Sequence, residues 1–311
     1  MTSNERKIRR HMESLERMIR RNRKKRGYSK ALLLLLCLTL LGLGARLGLL
    51  RLQESRKPYE GADLAVHFLD VGQADCILLE HRGEYVLIDA GNWEDFEGID
   101  AYLREKGVRE FAAVWFTHPH EDHIGSGAEI LRVYPTKRVY IREEAYDSET
   151  YRDLLSVIEE KRIPAEEPEP GTEVPFGDCR FEVLGPLRDY EDTNSDSVVL
   201  KVVHGNVRML FTGDQEREAE TDLLDNGCDV EAELLKTGHH GSNTSTSYRF
   251  LREVCPEYAV ISAGAGNRYG HPHEEVLSRF SDAEVTVYRT DERGTILAVS
   301  DGNGITFPGI E

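Results

Sequence analysis

The chain has 311 residues, with 56 Asp or Glu against 39 Lys or Arg, and a formal net charge of −17. This length allows one large domain with an appendage or two modest domains. Residues 1–30 carry 12 Lys or Arg against 3 Asp or Glu, whereas residues 61–311 carry 23 against 51, a net of −28. An acidic domain repels polyanions over a Debye length of about 8 Å. This argues against duplex DNA as a tightly held partner, because duplex binders present basic stripes.

An apolar stretch follows the basic amino-terminal segment. Residues 31–45 contain no charged side chain and are rich in leucine. The stretch reaches Leu50 if Arg46 snorkels to the membrane surface. Twenty helical residues span about 30 Å, the thickness of a hydrocarbon core. We therefore predict a single transmembrane helix at 31–50.

The charge asymmetry sets the expected orientation of this segment. The positive-inside rule keeps residues 1–30 in the cytoplasm as a basic tail. Residues 51–62 are then a short linker, and residues 63–311 form a domain on the outer side of the cell membrane. A cleaved signal peptide is the alternative, with Leu-Gly-Ala at 43–45 as a weak cleavage site. In that case the domain is secreted.

From residue 63 onward, short apolar runs alternate with glycine-containing turns and amphipathic stretches. Strands are predicted at about 64–69, 76–80, 85–88, 112–116, 139–141, 180–184, 197–203, 207–211, 232–236, 258–261, 285–289 and 295–299. Helices are predicted at about 99–106, 125–134, 148–161, 216–225, 247–253 and 273–280. Residues 164–172 are predicted as a loop between two halves of one domain. Strands followed by helices in each half predict an α+β sandwich with helices on both outer faces.

The strongest chemical signal is His-Pro-His-Glu-Asp-His at 118–123, directly after a predicted buried strand. Imidazole nitrogens and carboxylate oxygens are ligands that zinc and similar divalent metals take readily. The spacing of His118 and His120 lets an extended backbone direct both rings at one ion. Asp122 and His123 are adjacent, so they project differently and suit a second ion. Two ions about 3.5–4 Å apart are a recurrent device for water activation.

Matching parts follow later in the chain. Asp214 ends Phe-Thr-Gly-Asp after the apolar run 207–211, and His239 and His240 follow the apolar run 232–235. Each therefore lies just beyond a predicted strand, as the first motif does. The sequence predicts that these segments converge on one metal centre.

These motifs resemble those of a known family. The segment 118–123 is similar to the His-x-His-x-Asp-His signature of the metallo-β-lactamase fold. Together the motifs resemble the hydrolase domain of the competence protein ComEC and its free-standing relatives. The supporting phrases are Phe-Leu-Asp-Val-Gly-Gln-Ala-Asp (68–75), Leu-Ile-Asp-Ala-Gly (87–91), Phe-Thr-Gly-Asp (211–214), Leu-Lys-Thr-Gly-His-His-Gly-Ser (235–242) and Asn-Arg-Tyr-Gly-His-Pro-His (267–273).

The resemblance implies an αββα sandwich with one or two divalent metal ions, Zn²⁺ or Mn²⁺, at one edge. The ligands it implies are His118 and His120 on one ion, Asp122, His123 and one of His239 or His240 on the other, and Asp214 on both. We favour His240 as the ligand, with His239 supporting it or contacting substrate.

One departure from the family pattern concerns the first ion. Many relatives supply a further histidine between the metal loop and the bridging aspartate. Here that interval contains only His204, which is predicted to be a turn residue on the far side of a strand. Residues 194–197, Asn-Ser-Asp-Ser, occupy the corresponding stretch. The first ion would then have fewer nitrogen ligands and would bind weakly or prefer a harder metal such as manganese.

Further residues are candidates for supporting or substrate-contacting roles. Asp89 ends a predicted strand, and carboxylates commonly orient metal-binding imidazoles. The alternative for Asp89 is a turn cap. Lys236 could pair with an anionic substrate or lie at a strand edge. The remaining candidates are Ser242 with its neighbours 243–245 as hydrogen-bond donors, and His271 or His273 as phosphate contact or proton donor, with helix capping as the alternative.

These observations predict a membrane-anchored, metal-dependent hydrolase acting on phosphodiester or related ester bonds through metal-bound hydroxide. Asp122, Asp214 and His273 are the predicted catalytic residues. The acidic surface favours small or single-stranded phosphoesters. One alternative is a scaffold domain that binds metal or ligand without turnover. Another is hydrolysis of lactam, lactone or thioester bonds, because the fold alone does not assign the substrate.

Overall fold

The computed structural model describes residues 13, 14, 16–18, 20, 21, 59, 61, 63–143 and 145–310. Two β-sheets dominate the unit Tyr59–Glu311. The first sheet has the order β15-β14-β1-β2-β3-β4-β5-β6, and the second has the order β13-β12-β11-β10-β9-β8-β7. The strands are β1 Leu64–Phe68, β2 Ile77–His81, β3 Glu84–Ile88, β4 Ala113–Trp115, β5 Val139–Tyr140, β6 Ala165–Glu166, β7 Glu173–Phe176, β8 Cys179–Gly185, β9 Val199–His204, β10 Val207–Phe211, β11 Leu234–Lys236, β12 Tyr258–Ile261, β13 Thr286–Arg289, β14 Ile296–Ser300 and β15 Ile305–Thr306.

Side-chain alternation along the strands builds a layered core. Ile77 and Leu79 of β2 pack in the same central cluster as Met209 and Phe211 of β10, so the two sheets face one another. The intervening Leu78 points to the opposite face of the first sheet, where a second apolar cluster lies. Strands buried on both faces need this nearly continuous apolar sequence.

Helices cover both outer faces. The cluster on the outer face of the first sheet includes Leu103 and Leu154, and the one on the second includes Leu223 and Phe280. This is the αββα arrangement of the predicted α+β fold. The α-helices of this unit are α1 Phe96–Lys106, α2 Glu121–Ile124, α3 Gly127–Val133, α4 Glu149–Lys161, α5 Arg217–Asp225, α6 Tyr248–Val254, α7 Glu274–Asp282 and α8 Thr290–Arg293, with short 3₁₀ turns at Trp93–Asp95 and Gly238–Gly241.

Parallel pairing places the functional loops at one edge of the sandwich. Strand β3 pairs in parallel with β4, and β10, β11 and β12 pair in parallel with one another. The carboxyl ends of parallel strands meet at the same sheet edge, where ligands commonly bind. Asp89, His118, Asp214 and the His239–His240 pair all follow such ends, so the sheet order brings distant segments together.

Several local expectations need correction. The helix predicted at 125–134 is α3, Gly127–Val133, and a short helix that was not predicted, α2, precedes it within the metal loop. The predicted loop 164–172 contains β6, which pairs in parallel with β5. Strands β7 and β15 and helix α8 escaped prediction because each has only two to four residues, too few to show a period.

The amino-terminal unit spans Met1–Pro58, and the division after Pro58 lies within the segment 51–62 predicted as a linker. Its described residues, between 13 and 21, are helical and exposed. Within the described part of the chain, every helix is too short or too polar to cross a membrane. The predicted anchor at 31–50 lies outside the described residues.

Candidate metal centre

The loops at the sheet edge surround an open pocket with a volume of 890 Å³. Six predicted site residues line it: His120, Asp122, Asp214, His239, His240 and His271. His118 and His123 lie beneath them, 3% and 0% exposed. The segments predicted from sequence to converge therefore do so.

His118 and His120 direct one nitrogen each at a common point. The Thr117 hydroxyl donates to Asp89 Oδ2 at 2.8 Å and lies 3.2 Å from His118 Nδ1. Nδ1 of His118 is thus held by the hydroxyls of Thr117 and, at 3.3 Å, Ser197, which directs Nε2 into the centre. That Nε2 lies 3.0 Å from Nδ1 of His120. One ion at about 2.0–2.1 Å from each nitrogen fits this spacing.

His123 is oriented by a carboxylate, as expected for Asp89. Asp89 Oδ2 lies 2.8 Å from His123 Nδ1, and Asp89 Oδ1 accepts from the Thr117 backbone N–H at 2.8 Å. The hydrogen bond fixes the ring so that Nε2 faces Asp214 Oδ1 at 3.3 Å. This carboxylate–histidine arrangement is typical of metal ligands. The hydrogen bonds of Asp89 therefore serve to orient His123, which a residue that only caps a turn would not do.

His240 approaches the same carboxylate from another strand. Its Nδ1 lies 3.0 Å from the Ser262 carbonyl oxygen and donates to it. Its Nε2 is 3.4 Å from Asp122 Oδ2 and 3.6 Å from Asp214 Oδ1. Ligand atoms of Asp122, His123, Asp214 and His240 all lie within 4.8 Å of one another. This compact quartet is the set that the resemblance implied for the second ion.

His239 faces the other oxygen of the central aspartate. Its Nδ1 is 3.1 Å from Glu216 Oε1, and its Nε2 is 3.7 Å from Asp214 Oδ2. His118 Nε2 lies 4.0 Å from that same oxygen. Both His239 and His240 adopt left-handed backbone angles, with φ of 46° and 52°, a conformation that costs about 1–3 kcal/mol per residue. The strained turn is what lets two adjacent rings both face Asp214.

Asp214 is the electrostatic centre of the cluster. Burial opposes its ionisation, but His240 and His123 outweigh burial and hold its pKa well below the usual value. Burial likewise lowers the pKa of His123 and His240, yet Asp214 with Asp89 or Asp122 raises both above the ordinary value. Without metal, protons on these rings take the place of a cation.

The unsatisfied atoms test whether a metal fits. Among the described residues, none gives a hydrogen bond to the buried Nε2 of His123, Nε2 of His240 or Oδ1 of Asp214. Leaving several buried polar atoms unpaired is costly. All three belong to the compact quartet and converge on one point. The donor set therefore fits a divalent cation such as zinc or manganese.

Comparison with known proteins agrees with this geometry. The sequence model of the metallo-beta-lactamase superfamily matches residues 69–265. The chain belongs to the metallo-beta-lactamase superfamily.

Two similar relatives are longer bacterial proteins, one of them named a competence protein. ComE operon protein 3 of Bacillus subtilis is 32% identical over 250 residues, covering 74% of this chain and 32% of the relative. Competence protein ComA of Neisseria gonorrhoeae is 32% identical over 237 residues, covering 75% of this chain and 32% of the relative. The chain thus spans about a third of the length of these proteins. The similarity to competence proteins expected from the motifs is confirmed.

A solved structure shows the same fold. The metallo-beta-lactamase fold protein YhfI from Bacillus subtilis aligns with a TM-score of 0.53 at 12% identity, covering 76% of this chain and all of that one. At this identity the likeness is one of architecture. It confirms the metallo-beta-lactamase sandwich.

In this metallo-beta-lactamase-fold pocket, His271 is held by a residue that the sequence analysis missed. Gln73 Oε1 accepts from the Gly264 N–H at 3.1 Å, which directs its amide nitrogen at His271 Nδ1, 3.2 Å away. Nδ1 of His271 is then the acceptor, and its Nε2 carries the proton. Burial and the neighbouring His239 lower the pKa of His271 to about 4, so the ring is a neutral donor. Gln73 belongs to the motif Phe-Leu-Asp-Val-Gly-Gln-Ala-Asp at 68–75.

His273 takes a different position from the one its predicted catalytic role requires. Its Nδ1 accepts from the Asn243 N–H at 2.9 Å, and it precedes α7 as the N-cap residue. His271 lines the pocket, whereas His273 lines a separate surface groove. His273 occupies the N-cap position of α7 without a side-chain capping hydrogen bond, and its ring instead holds the segment at Asn243.

Ser242 and its neighbours stabilise the strained turn. The Ser242 hydroxyl lies 2.9 Å from Thr244 Oγ1, and the Ser245 hydroxyl donates to the Gln215 carbonyl at 2.7 Å. Neither Ser242 nor Ser245 is part of the pocket wall. Their hydrogen bonds hold the segment that carries His239 and His240, so they are not placed as donors to a substrate.

Lys236 neither faces a substrate in the pocket nor lies at an exposed strand edge. It lies in β11, which pairs on both sides, and it is 1% exposed. Its Nζ is 2.7 Å from Asp75 Oδ2, and Asp75 Oδ1 is 3.6 Å from His240 Nδ1. The buried ion pair thus joins the two sheets beside the metal centre. Asp75 was missed because no pattern in the chain pairs it with a lysine 161 positions away.

The pocket wall is strongly acidic. Of the described residues that line it, Arg268 carries the one fixed positive charge. Its guanidinium donates to the hydroxyl of Tyr269 at 2.6 Å, and Tyr269 is 52% exposed. The lining carboxylates are Asp70, Glu94, Asp95, Glu121, Asp122 and Asp214. An anionic substrate therefore needs cations at the centre to offset them.

Proposed function

We propose that this domain is a metal-dependent hydrolase of phosphodiester or related ester bonds. The observation that carries the proposal is the position of Asp214 between two groups of nitrogens. Its Oδ1 faces His123 and His240, and its Oδ2 faces His118 and His239. A carboxylate with one oxygen toward each group is suited to hold two cations.

The two groups differ in their supply of ligands. Asp122, His123 and His240 complete one compact set with Asp214. The other set has the close pair His118 and His120, with the nitrogen of His239 farther out. We propose that His239 serves where many relatives have a histidine between the metal loop and the bridging aspartate. Zinc suits these imidazoles, and manganese suits a site with more oxygen.

The residues of the chain have separate tasks in the proposed reaction. When bound, divalent ions supply Lewis acidity and activate water at neutral pH. Asp122, whose side chain is 30% exposed, is the carboxylate placed to accept a proton from the pocket. His271, neutral and held by Gln73, donates from Nε2 to charge that develops on a substrate oxygen.

The pocket favours a small or single-stranded phosphoester. Its many carboxylates disfavour an extended polyanion, as does the net charge of the domain. Arg268 offers a contact for one phosphate, and the exposed ring of Tyr269 offers a stacking surface for a base. One of the longer relatives is named a competence protein, which is compatible with a nucleotide substrate here.

We also propose that the domain is tethered to the cell membrane through residues 31–50, with the amino terminus in the cytoplasm and the catalytic domain outside. The basic segment 1–30 and the uncharged leucine-rich stretch support this orientation. If the segment is cleaved, the domain is secreted.

Turnover of a chromogenic phosphodiester by the purified chain tests the function. We expect chelation to abolish hydrolysis and added Mn²⁺ or Zn²⁺ to restore it. Asp214→Asn should lose at least about a hundredfold in kcat/KM, because both cation groups share this residue. Asp70→Asn is the matched control, since Asp70 is an exposed residue of the same pocket that belongs to none of the candidate ligand groups, and it should stay within about twofold of the parent.

Two results would point to the alternatives. Full activity in Asp214→Asn, or activity insensitive to chelation, contradicts a metal-dependent hydrolase. Metal binding without turnover of any phosphoester, lactam, lactone or thioester in a panel favours the scaffold. Preferential hydrolysis of the lactam, lactone or thioester would change the proposed substrate class but leave the proposed metal centre in place.

A further inference from the structure

A second cluster of potential metal ligands lies far from the centre at Asp214. It comprises His81, Asp178, Cys179 and His204, whose ligand atoms all lie within 4.8 Å of one another. His81 ends β2, six residues after Asp75, and strand geometry gives about 3.3 Å per residue. The cluster is therefore about 20 Å from the metal centre, at the opposite end of the strands.

Both imidazoles contact an oxygen outside the cluster through Nδ1. His81 Nδ1 lies 3.1 Å from the Asp63 carbonyl oxygen, and His204 Nδ1 lies 3.0 Å from Ser300 Oγ. The carbonyl can only accept, so Nδ1 of His81 donates to it, and Nε2 is the atom directed at the Asp178 carboxylate. The rings are 5.3 Å apart. This is the ring orientation that metal-binding histidines adopt, with the outer nitrogen held by a backbone or hydroxyl oxygen.

The other two members complete a mixed donor set. Cys179 is 3% exposed and lies at the start of β8. Asp178 stands in the preceding turn, where its Oδ1 contacts His81 Nε2 and its Oδ2 accepts from Arg82 at 2.5 Å. Burial raises the pKa of the Cys179 thiol to about 12. A thiol in this environment ionises only if a cation binds.

Close backbone approach brings the turn onto the histidine. Gly177 has a φ of +63°, and a Cβ at this position would lie 2.5 Å from Cδ2 of His81. Only glycine therefore lets the β7–β8 turn carry Asp178 and Cys179 against the ring. The His81 ring occupies the space that a side chain at position 177 would need.

We propose that His81, Asp178, Cys179 and His204 form a structural zinc site that joins the two sheets. His81 belongs to the first sheet, while Cys179 and His204 belong to the second. Two imidazoles, one thiolate and one carboxylate make a four-coordinate set with no open position, which is typical of structural zinc. Ligand separations in such a site are about 3.4–3.8 Å, so the wider pairs of the cluster, which lie within 4.8 Å, would close while the His81–Asp178 contact would widen. The site is independent of the proposed function.

Cobalt(II) binding distinguishes this site from the centre at Asp214. A cobalt–thiolate bond gives charge-transfer absorption in the near ultraviolet, and no cysteine is among the described residues of the Asp214 centre. We expect this absorption in the full-length parent and in Asp214→Asn. It should disappear in Cys179→Ser. Asp178→Asn, a change at a half-exposed position, should weaken cobalt affinity at least about tenfold while leaving the fold intact.

Controls use the other cysteines and thermal unfolding. Cys76→Ser and Cys228→Ser should retain the absorption. Zinc should raise the Tm of Asp214→Asn but not of Asp214→Asn combined with Cys179→Ser. Absence of thiolate absorption in the parent, its persistence in Cys179→Ser, or its loss in Cys76→Ser would overturn the proposal. In each of those cases, His81 and Asp178 form an ordinary hydrogen-bonded pair.

Discussion

At the scale of single residues, hydrogen bonds to the outer nitrogen decide what each histidine of the centre can do. His123 donates from Nδ1 to Asp89, His239 to Glu216, and His240 to the Ser262 carbonyl. In each ring Nε2 is the atom left toward Asp214. A neutral imidazole has only one lone pair, so fixing the tautomer also fixes the atom that coordinates.

Metal binding at this centre should release protons. The carboxylates around His123 and His240 raise their pKa values above the ordinary value despite burial. A cation must therefore displace about two protons near neutral pH, and affinity should rise about tenfold per pH unit for each. Because the pKa values of His123 and His240 are raised on folding, their protonation stabilises the metal-free fold at acidic pH. This stabilisation is lost as the pH rises through their folded-state pKa values.

Calorimetric titration of zinc into Cys179→Ser, which lacks the thiol of the second cluster, in two buffers of different ionisation enthalpy measures this proton release. His271→Gln is the matched control, because the pKa of His271 is about 4 and its ring is already neutral. It should release as many protons as the parent. Zinc affinity that is flat or falls with increasing pH would contradict the assignment.

At the scale of secondary structure, the break between α2 and α3 fixes the metal loop in place. Gly125 lies where these helices meet the turn at Asn92 and Trp93. The Ser126 hydroxyl donates to the Asn92 carbonyl at 2.5 Å, and the His123 carbonyl accepts from the Ala90 N–H at 2.7 Å. The helix carrying Asp122 and His123 is thus bound to the loop after β3. Close contact requires a residue without Cβ.

Gly125→Ala should destabilise the domain. The added Cβ would lie 2.3 Å from both Asn92 C and Trp93 N, so the backbone must move. Overpacking of this kind costs about 1–3 kcal/mol. We expect a lower free energy of unfolding by urea denaturation and weaker zinc binding, because the helix carries two candidate ligands.

Gly98→Ala is the comparison for that substitution. Gly98 is exposed within α1, and its Cβ would meet nothing within 4 Å. The change should stabilise the domain by about 0.5–1 kcal/mol through helix propensity. If the two substitutions changed the free energy of unfolding equally, the close contact at Gly125 would not be the cause of the destabilisation.

At the scale of the whole molecule, charge opposes the proposed chemistry. Residues 61–311 carry 23 Lys or Arg against 51 Asp or Glu, and the pocket wall has the same sign. Cations at the centre reverse the potential locally, while the approach to the pocket stays acidic. An anionic substrate is therefore repelled before it is bound.

This repulsion predicts an unusual salt dependence. The kcat/KM for an anionic phosphodiester should rise several-fold as ionic strength increases from about 0.01 to 0.15 M, since the Debye length falls from about 30 Å to 8 Å. A neutral ester serves as the control and should show little change. A decrease for the diester would indicate that Arg268 and the bound cations dominate the encounter.

Much of this protein was determined by local sequence. Strands such as β10 and helices such as α4 follow from apolar periodicity. The histidines and carboxylates of the segments 118–123 and 239–240 indicate metal binding from their residue types alone. Their placement after apolar strands also predicted that they would meet. These features depend on neighbours along the chain, which a sequence displays directly.

Only the tertiary structure decided the partners of each polar group. It pairs Lys236 with Asp75, assigns Gln73 to His271, turns His273 away from the pocket, and gathers a second set of ligands around Cys179. Each contact joins segments far apart in the chain, through a strand register and a tight turn that no local pattern encodes. Burial then makes such contacts decisive, because a polar group removed from water must find its partner wherever the fold places it.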